Sequence, residues 1–175
     1  MSHDLVSSLD SFVPVSSPLL VCEAGGTYRP AGAEEVLQAA QRLLAGQVRG
    51  ADVLSSPAAV RDFLRMRLGA LAHEVFAVVH LDAQYRVLDY VEMFRGTVKQ
   101  TSVYPREVVR DALARNSCAM LMVHNHPSGA TDPSRADEIL TQTLKAALAL
   151  VDVQVLDHLI VTDSTVLSMA ERGLM

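Results

Sequence analysis

The stretch 118-CAMLMVHNHPSGATDPSRADEILTQTLKAALAL-150 passes through three kinds of local structure in succession. CAMLMVH is an unbroken apolar run of strand length, as a strand covered on both faces requires. Pro127 has no amide with which to continue a ladder, and with Gly129 and Pro133 it marks a tight loop. From Ser134 onward, SRADEILTQTLKAALAL spaces its apolar residues for one face of a long helix. Strand, loop and helix in that order form the repeating unit of an α/β domain.

The flanking text extends the pattern. Upstream, Pro105 opens the amphipathic helix REVVRDALARN. Before it, 74-EVFAVVHLD-82 and 85-YRVLDYVEMF-94 read as two strands joined by a turn at Asp82–Gln84. Gly96 interrupts them, and 97-TVKQTSVY-104 reads as a third, more polar strand. Downstream, VQVLDHLIVTD is a strand, and TVLSMAERGLM closes with a short strand and turn. Nearer the N-terminus, Ser56-Pro57 starts a helix through AAVRDFLRMRL, and a helix from Ala33 is expected to end on Gly46. The stretch 47-QVRGADVLSS-56 reads as a linker, 18-PLLVCEA-24 as a strand, 25-GGTYRP-30 as a turn or hairpin, and residues 1–18 as a loose leader. The expectation is an α/β fold, a single α-β-α sandwich around a mixed sheet. Residues 1–55 would be an extension, a strand plus a helix packed on the core, and residues 56–175 the main domain.

Composition narrows the function classes. The 175 residues are half hydrophobic and one-fifth charged, which suits a folded domain rather than extended disorder. A net charge of −5 and a pI near 5.6, with no Lys/Arg run, argue against nucleic-acid binding by bulk electrostatics. The N-terminus lacks the order of a signal peptide and no apolar run is long enough to span a bilayer, so a soluble, cytoplasmic protein is expected. Cys22 and Cys118, each in apolar text, read as buried thiols of a reducing compartment.

The chemistry lies at the strand-to-helix junction. Residues two apart on a strand share a face, so His124 and His126 can converge on one ion at the strand's exit. Asp137 falls in the first turn of the next helix, where the dipole favours an anion. Two imidazoles and one carboxylate leave a fourth position open, the ligand count of a catalytic rather than a structural zinc site. Taken singly, the same residues read more plainly: Ser134-x-x-Asp137 as a capping box and His-x-His as strand-end histidines. The joint spacing H-x-H-x7-S-x2-D is what points to a metal. A nucleobase deaminase would need a P-C-x-x-C pair, which this sequence lacks, and His73-Glu74 does not continue as H-E-x-x-H.

These phrases resemble the JAB/MPN metalloprotease signature, also called JAMM, in its RadC-like branch. The matching text is 105-PREVV-109, 124-HNHPSG-129, 133-PSRAD-137 and 157-DHLIV-161, within a similarity running from about Phe63 to the C-terminus. The resemblance implies a JAB/MPN-like architecture, related to that of cytidine deaminases, with zinc held by His124, His126 and Asp137. It also implies Glu74 as general acid/base, Ser134 as a donor to the oxyanion, and a protein or peptide substrate cleaved at an amide or isopeptide bond. The alternative is a catalytically silent, metal-containing protein-interaction module. Longer RadC-like proteins carry an N-terminal helix-hairpin-helix module that residues 1–55 do not resemble. The segment 95-RGTVKQTSVY-104 offers an edge for backbone pairing with an extended peptide, or a plain edge guarded by Lys99. His80 and His158 read as core or supporting residues, and His73 as facing away from Glu74. The sequence does not fix the oligomeric state.

Overall fold

A computed structural model describes residues 19–50, 53, 56–96 and 102–175. The described residues fall into two compact units that part between Ala40 and Gln41. In the first, β1 (Leu20–Cys22) and β2 (Tyr28–Pro30) form the expected hairpin, with Cys22 opposite Tyr28. Arg29 ties it down by reaching both Glu23 and Glu35. Helix α1 (Ala33–Val48) begins in this unit and runs two residues beyond Gly46, the expected stop. A mid-helix glycine costs about 1 kcal/mol, and Val48 at the helix end is buried in the core of the second unit. The expected linker is therefore part helix, and Val53 within it is also buried, with its amide on the Tyr85 carbonyl at 3.1 Å.

Among the described residues, the second unit holds a sheet of five strands in the order β4-β3-β5-β6-β7. They are β3 (Val75–Leu81), β4 (Val87–Arg95), β5 (Ala119–Asn125), β6 (Gln154–Val161) and β7 (Val166–Ser168). Only the β5–β6 pair is parallel; β3–β4, β3–β5 and β6–β7 are antiparallel, so the sheet is mixed. β3 and β5 are buried along their whole length, which accounts for their lack of apolar–polar alternation.

Alternate residues of those two strands feed two cores. Val75, Ala77, Val79, Leu81, Leu121 and Val123 pack with α2 (Pro57–Leu68) through Val60, Phe63 and Leu64. Phe76, Val78, Met120 and Met122 pack with α3 (Pro105–Ala114) and α4 (Arg135–Ala149) through Val108, Ala112, Leu144 and Leu148. Helices on both faces of a mixed sheet make the α-β-α sandwich. α2 ends against the β6–β7 loop so closely that a Cβ on Gly69 would lie 2.7 Å from the Thr162 carbonyl oxygen. Residues 97–101 of the expected polar strand lie outside the described residues, and 102–104 form no strand.

Both cysteines are exposed, contrary to the sequence expectation. Cys22 lies on a three-residue hairpin strand with no second layer of its own, and Cys118 sits one residue before β5 enters the core.

Candidate metal centre

β5 carries His124 to the end of the sheet, between Phe76 of β3 and Ile160 of β6. One residue past the strand, the His126 amide still bonds the Val161 carbonyl at 2.9 Å, so strand geometry persists through both histidines. Their Nε2 atoms come within 2.9 Å of each other and their ring centroids within 4.7 Å. The loop then reverses at Gly129, whose φ of 77° suits glycine and whose amide bonds the His126 carbonyl at 3.0 Å.

Asp137 arrives from the first turn of α4. Its Oδ1 lies 3.4 Å from His124 Nε2 and its Oδ2 lies 3.6 Å from His126 Nε2. The three side chains offer ligand atoms all within 4.8 Å of one another. Ligands about 2.0–2.1 Å from a tetrahedral zinc stand about 3.3 Å apart, close to these separations.

The capping box is equally real. Ser134 Oγ accepts from the Asp137 amide at 3.2 Å, and Asp137 Oδ2 accepts from the Ser134 amide at 2.7 Å. The Ser134 hydroxyl also donates to Asp137 Oδ2, at 2.6 Å. The bland and the functional readings of Ser134 and Asp137 are thus compatible, because one carboxylate caps the helix and faces the imidazoles.

The donor set fits a cation. His126 Nδ1 sits 2.7 Å from the Ala130 carbonyl, which can only accept, so the ring proton is on Nδ1 and Nε2 turns a lone pair to the cluster. A second ring nitrogen and a carboxylate face that lone pair, so the three side chains turn acceptor atoms toward one place, as a bound cation requires. Asp137 raises the affinity of His126 for a proton, against the opposing effect of burial. Burial alone would raise the Asp137 carboxyl, but the two imidazoles and Ser134 hold it well below the usual carboxylate range.

Glu74 immediately precedes β3. Carrying the register of Phe76 opposite His124 two residues further sets Glu74 beside His126, whose protonation its charge favours. Sequence reasoning missed the residue that holds it there. Asn125, between the two histidines and 1% exposed, takes the Val75 amide on Oδ1 at 2.7 Å and gives Nδ2 to the His73 carbonyl at 3.0 Å. It clamps the backbone on both sides of Glu74, and the Glu74 carbonyl accepts the Gly96 amide at 2.9 Å. The one available signal was the pleat: if His124 and His126 face the site, Asn125 faces away.

Behind the cluster lies His158, fully buried, with Nε2 2.8 Å from His124 Nδ1 and Nδ1 2.6 Å from Thr141 Oγ1. Burial, followed by the proximity of His124, pushes its pKa well below the ordinary histidine value. The preceding Asp157 instead holds β7 and the C-terminal turn, accepting from Ser168 Oγ and from the Ala170 amide at 3.0 Å.

Residues 54–174 match the family described as RadC-like JAB domain. The chain is 58% identical over 142 residues to a protein of Leptothrix cholodnii, covering 81% of this chain and 64% of that one. It is 58% identical over 151 residues to one of Aromatoleum aromaticum, covering 86% and 67%. Both relatives bear the name UPF0758 protein, and the chain spans about two thirds of their length. No helix among the described residues is long and apolar enough to cross a membrane.

Proposed function

Because this chain belongs to the RadC-like JAB domain family, we propose that it is a zinc-dependent hydrolase of amide or isopeptide bonds in a protein or peptide substrate. The observation that carries the reading is the convergence of His124 Nε2, His126 Nε2 and the Asp137 carboxylate within 4.8 Å, with both ring nitrogens aimed inward. These three residues would hold the ion. Zinc supplies a Lewis acid that lowers the pKa of coordinated water to about 7 and polarises the scissile carbonyl.

The protein's own groups do the rest. Glu74 takes a proton from the attacking water and returns it to the departing amine, so its carboxylate ends each turnover as it began. Asn125 and the Gly96 amide keep the Glu74 backbone beside His126 while this happens. Asp137 is held by the Ser134 amide, so its ligand geometry is part of the helix cap. The Ser134 hydroxyl, which donates to Asp137, must turn away to meet an oxyanion. That switch of one proton between two oxygens suits a group needed only after the carbonyl has been attacked.

The test uses the full chain loaded with zinc, a fluorogenic peptide set and a peptide joined through a lysine ε-amide. One zinc per chain, with a ~100- to 10,000-fold loss of turnover in Glu74→Gln at unchanged zinc content, is expected. Zinc content that is nil in the native chain and unaltered by His126→Ala would end the proposal. Retained zinc with equal rates for native chain and Glu74→Gln would instead favour the interaction module.

A further inference from the structure

We propose that His158 and Thr141 are positioning residues that set the tautomer of His124 and brace it against the helix carrying Asp137. The inference rests on the zinc reading above for its purpose, but its geometry stands apart from it. Thr141 Oγ1 has one proton and two close neighbours: the Asp137 carbonyl at 2.6 Å and His158 Nδ1 at 2.6 Å. The carbonyl can only accept, whereas an imidazole nitrogen can also donate. The hydroxyl proton therefore goes to the carbonyl, and His158 supplies its own from Nδ1.

Everything downstream follows from that choice. A neutral His158 protonated on Nδ1 has a bare Nε2, which accepts from His124 Nδ1 at 2.8 Å. His124, protonated on Nδ1, then presents a bare Nε2 to the cluster, as His126 does by its bond to Ala130. The bonds run from His124 through His158 and Thr141 to the main chain of Asp137. Two ligands from different elements, β5 and α4, are joined behind the ion as well as through it.

Burial keeps the relay in one state. His158 and Thr141 are fully buried, so neither exchanges its partner for water. Phe76 packs edge-on against the His158 ring at 5.9 Å, and the His124 ring lies tilted against it at 4.8 Å, so the imidazole is held on two sides. Many metal-bound histidines lean on a carboxylate or a carbonyl. Here the supporting group is a neutral imidazole, which adds no negative charge next to Asp137.

The reverse arrangement, with protons on Nε2 of both His158 and His124, would block the ion and turn the Thr141 hydroxyl proton to His158 Nδ1, taking that donor from the Asp137 carbonyl. Long-range proton–nitrogen correlation spectra of the uniformly labelled, metal-free full chain at pH 7.5 distinguish the two. Nδ1 protonation of both rings is expected; a His124 ring bare on Nδ1 and protonated only on Nε2 overturns the relay whether or not zinc binds.

The second arm is zinc competition against a chromophoric chelator. His158→Phe removes the acceptor and is expected to weaken zinc ~10- to 100-fold, while His158→Gln, which can still accept, recovers most of it. Thr141→Val, a small change that keeps the fold should His158→Phe not, is expected to show mixed tautomers and a several-fold weaker site. Native-like zinc affinity in His158→Phe, or a single unchanged tautomer in Thr141→Val, overturns the proposal. A native chain that takes up no zinc defeats the preceding reading instead, and the tautomer spectrum alone then decides the relay.

Discussion

His80 and His158 are both fully buried on the face of the sheet covered by α3 and α4, yet their surroundings differ in kind. His80 Nδ1 bonds Ser117 Oγ at 2.7 Å, and its Nε2 lies 2.8 Å from Asp111 Oδ2 without an aligned hydrogen bond. Asp111 is backed in turn by Arg115 at 3.3 Å, itself 3.6 Å from Asp89. That string runs out through α3 to a carboxylate and a guanidinium that pair with one another, although His80 Nε2, Asp111 Oδ2 and Arg115 Nε have no aligned hydrogen bond. The string through His158 runs instead to the inward-facing ring nitrogens of His124 and His126 and the Asp137 carboxylate. Burial of a histidine therefore does not mark function. What distinguishes these two ends of the sheet is where the chain of polar contacts leads: to charges that pair with one another at the closed end, or to converging ligand atoms at the open one.

The sharpest way to break this comparison is to empty the closed end. His80→Ala removes an imidazole from a fully buried place and is expected to cost about 3 kcal/mol by chemical denaturation. Zinc affinity should not change; a parallel loss of zinc would show the two ends to be one network.

Asn125→Ala tests the open end by the opposite signature. Stripping the partner from the Val75 amide should cost about 2 kcal/mol. It should also lower kcat, because Glu74 loses its clamp, while zinc stays bound. Unchanged turnover in a zinc-loaded Asn125→Ala protein would separate Asn125 from the chemistry.

Acid provides a third contrast. Burial lowers the pKa of His80, with Asp111 opposing and Arg115 adding to the effect, and burial lowers that of His158 further. Both folded values lie below the unfolded one of about 6.5. Their neutral forms thus favour folding above that pH, and the benefit is lost as pH falls below it, toward each depressed value. With chelator present, unfolding free energy should drop on the order of 1 kcal/mol from pH 7.5 to 5.5, and less in His80→Gln. His126, whose pKa Asp137 raises, works in the opposite direction, so the decisive reading is the difference between the two chains: an equal drop in His80→Gln would contradict burial of His80 in its neutral form.

The smallest effect is expected from Ser134→Ala, which removes half of the capping box for about 1 kcal/mol. If Ser134 also steadies a ligand, zinc affinity falls with stability; if it only caps, stability alone moves.

Much of this was legible in the residues. The parity of His124 and His126, the cap at Ser134 and the run of buried strands follow from local periodicity, and the structure places them as expected. The supporting groups were not legible, because their partners are distant in sequence. Asn125 reaches His73 across 52 positions and His124 reaches His158 across 34, distances set by strand register. The reading of Cys22 and Cys118 failed for a related reason: apolar neighbours report burial only where a second layer covers them. Gly46 failed as a stop because the burial of Val48 outweighs a modest local preference.

The clamp at Asn125 carries a consequence for transplanting this centre. The three successive side chains of His124, Asn125 and His126 divide by the pleat, two to one side toward Asp137 and one to the other for the neighbouring strand. On the proposed reading, a scaffold given the outer pair alone would acquire two ligands with no clamp to hold Glu74 beside them. The portable unit is the whole triplet together with the strand it grips.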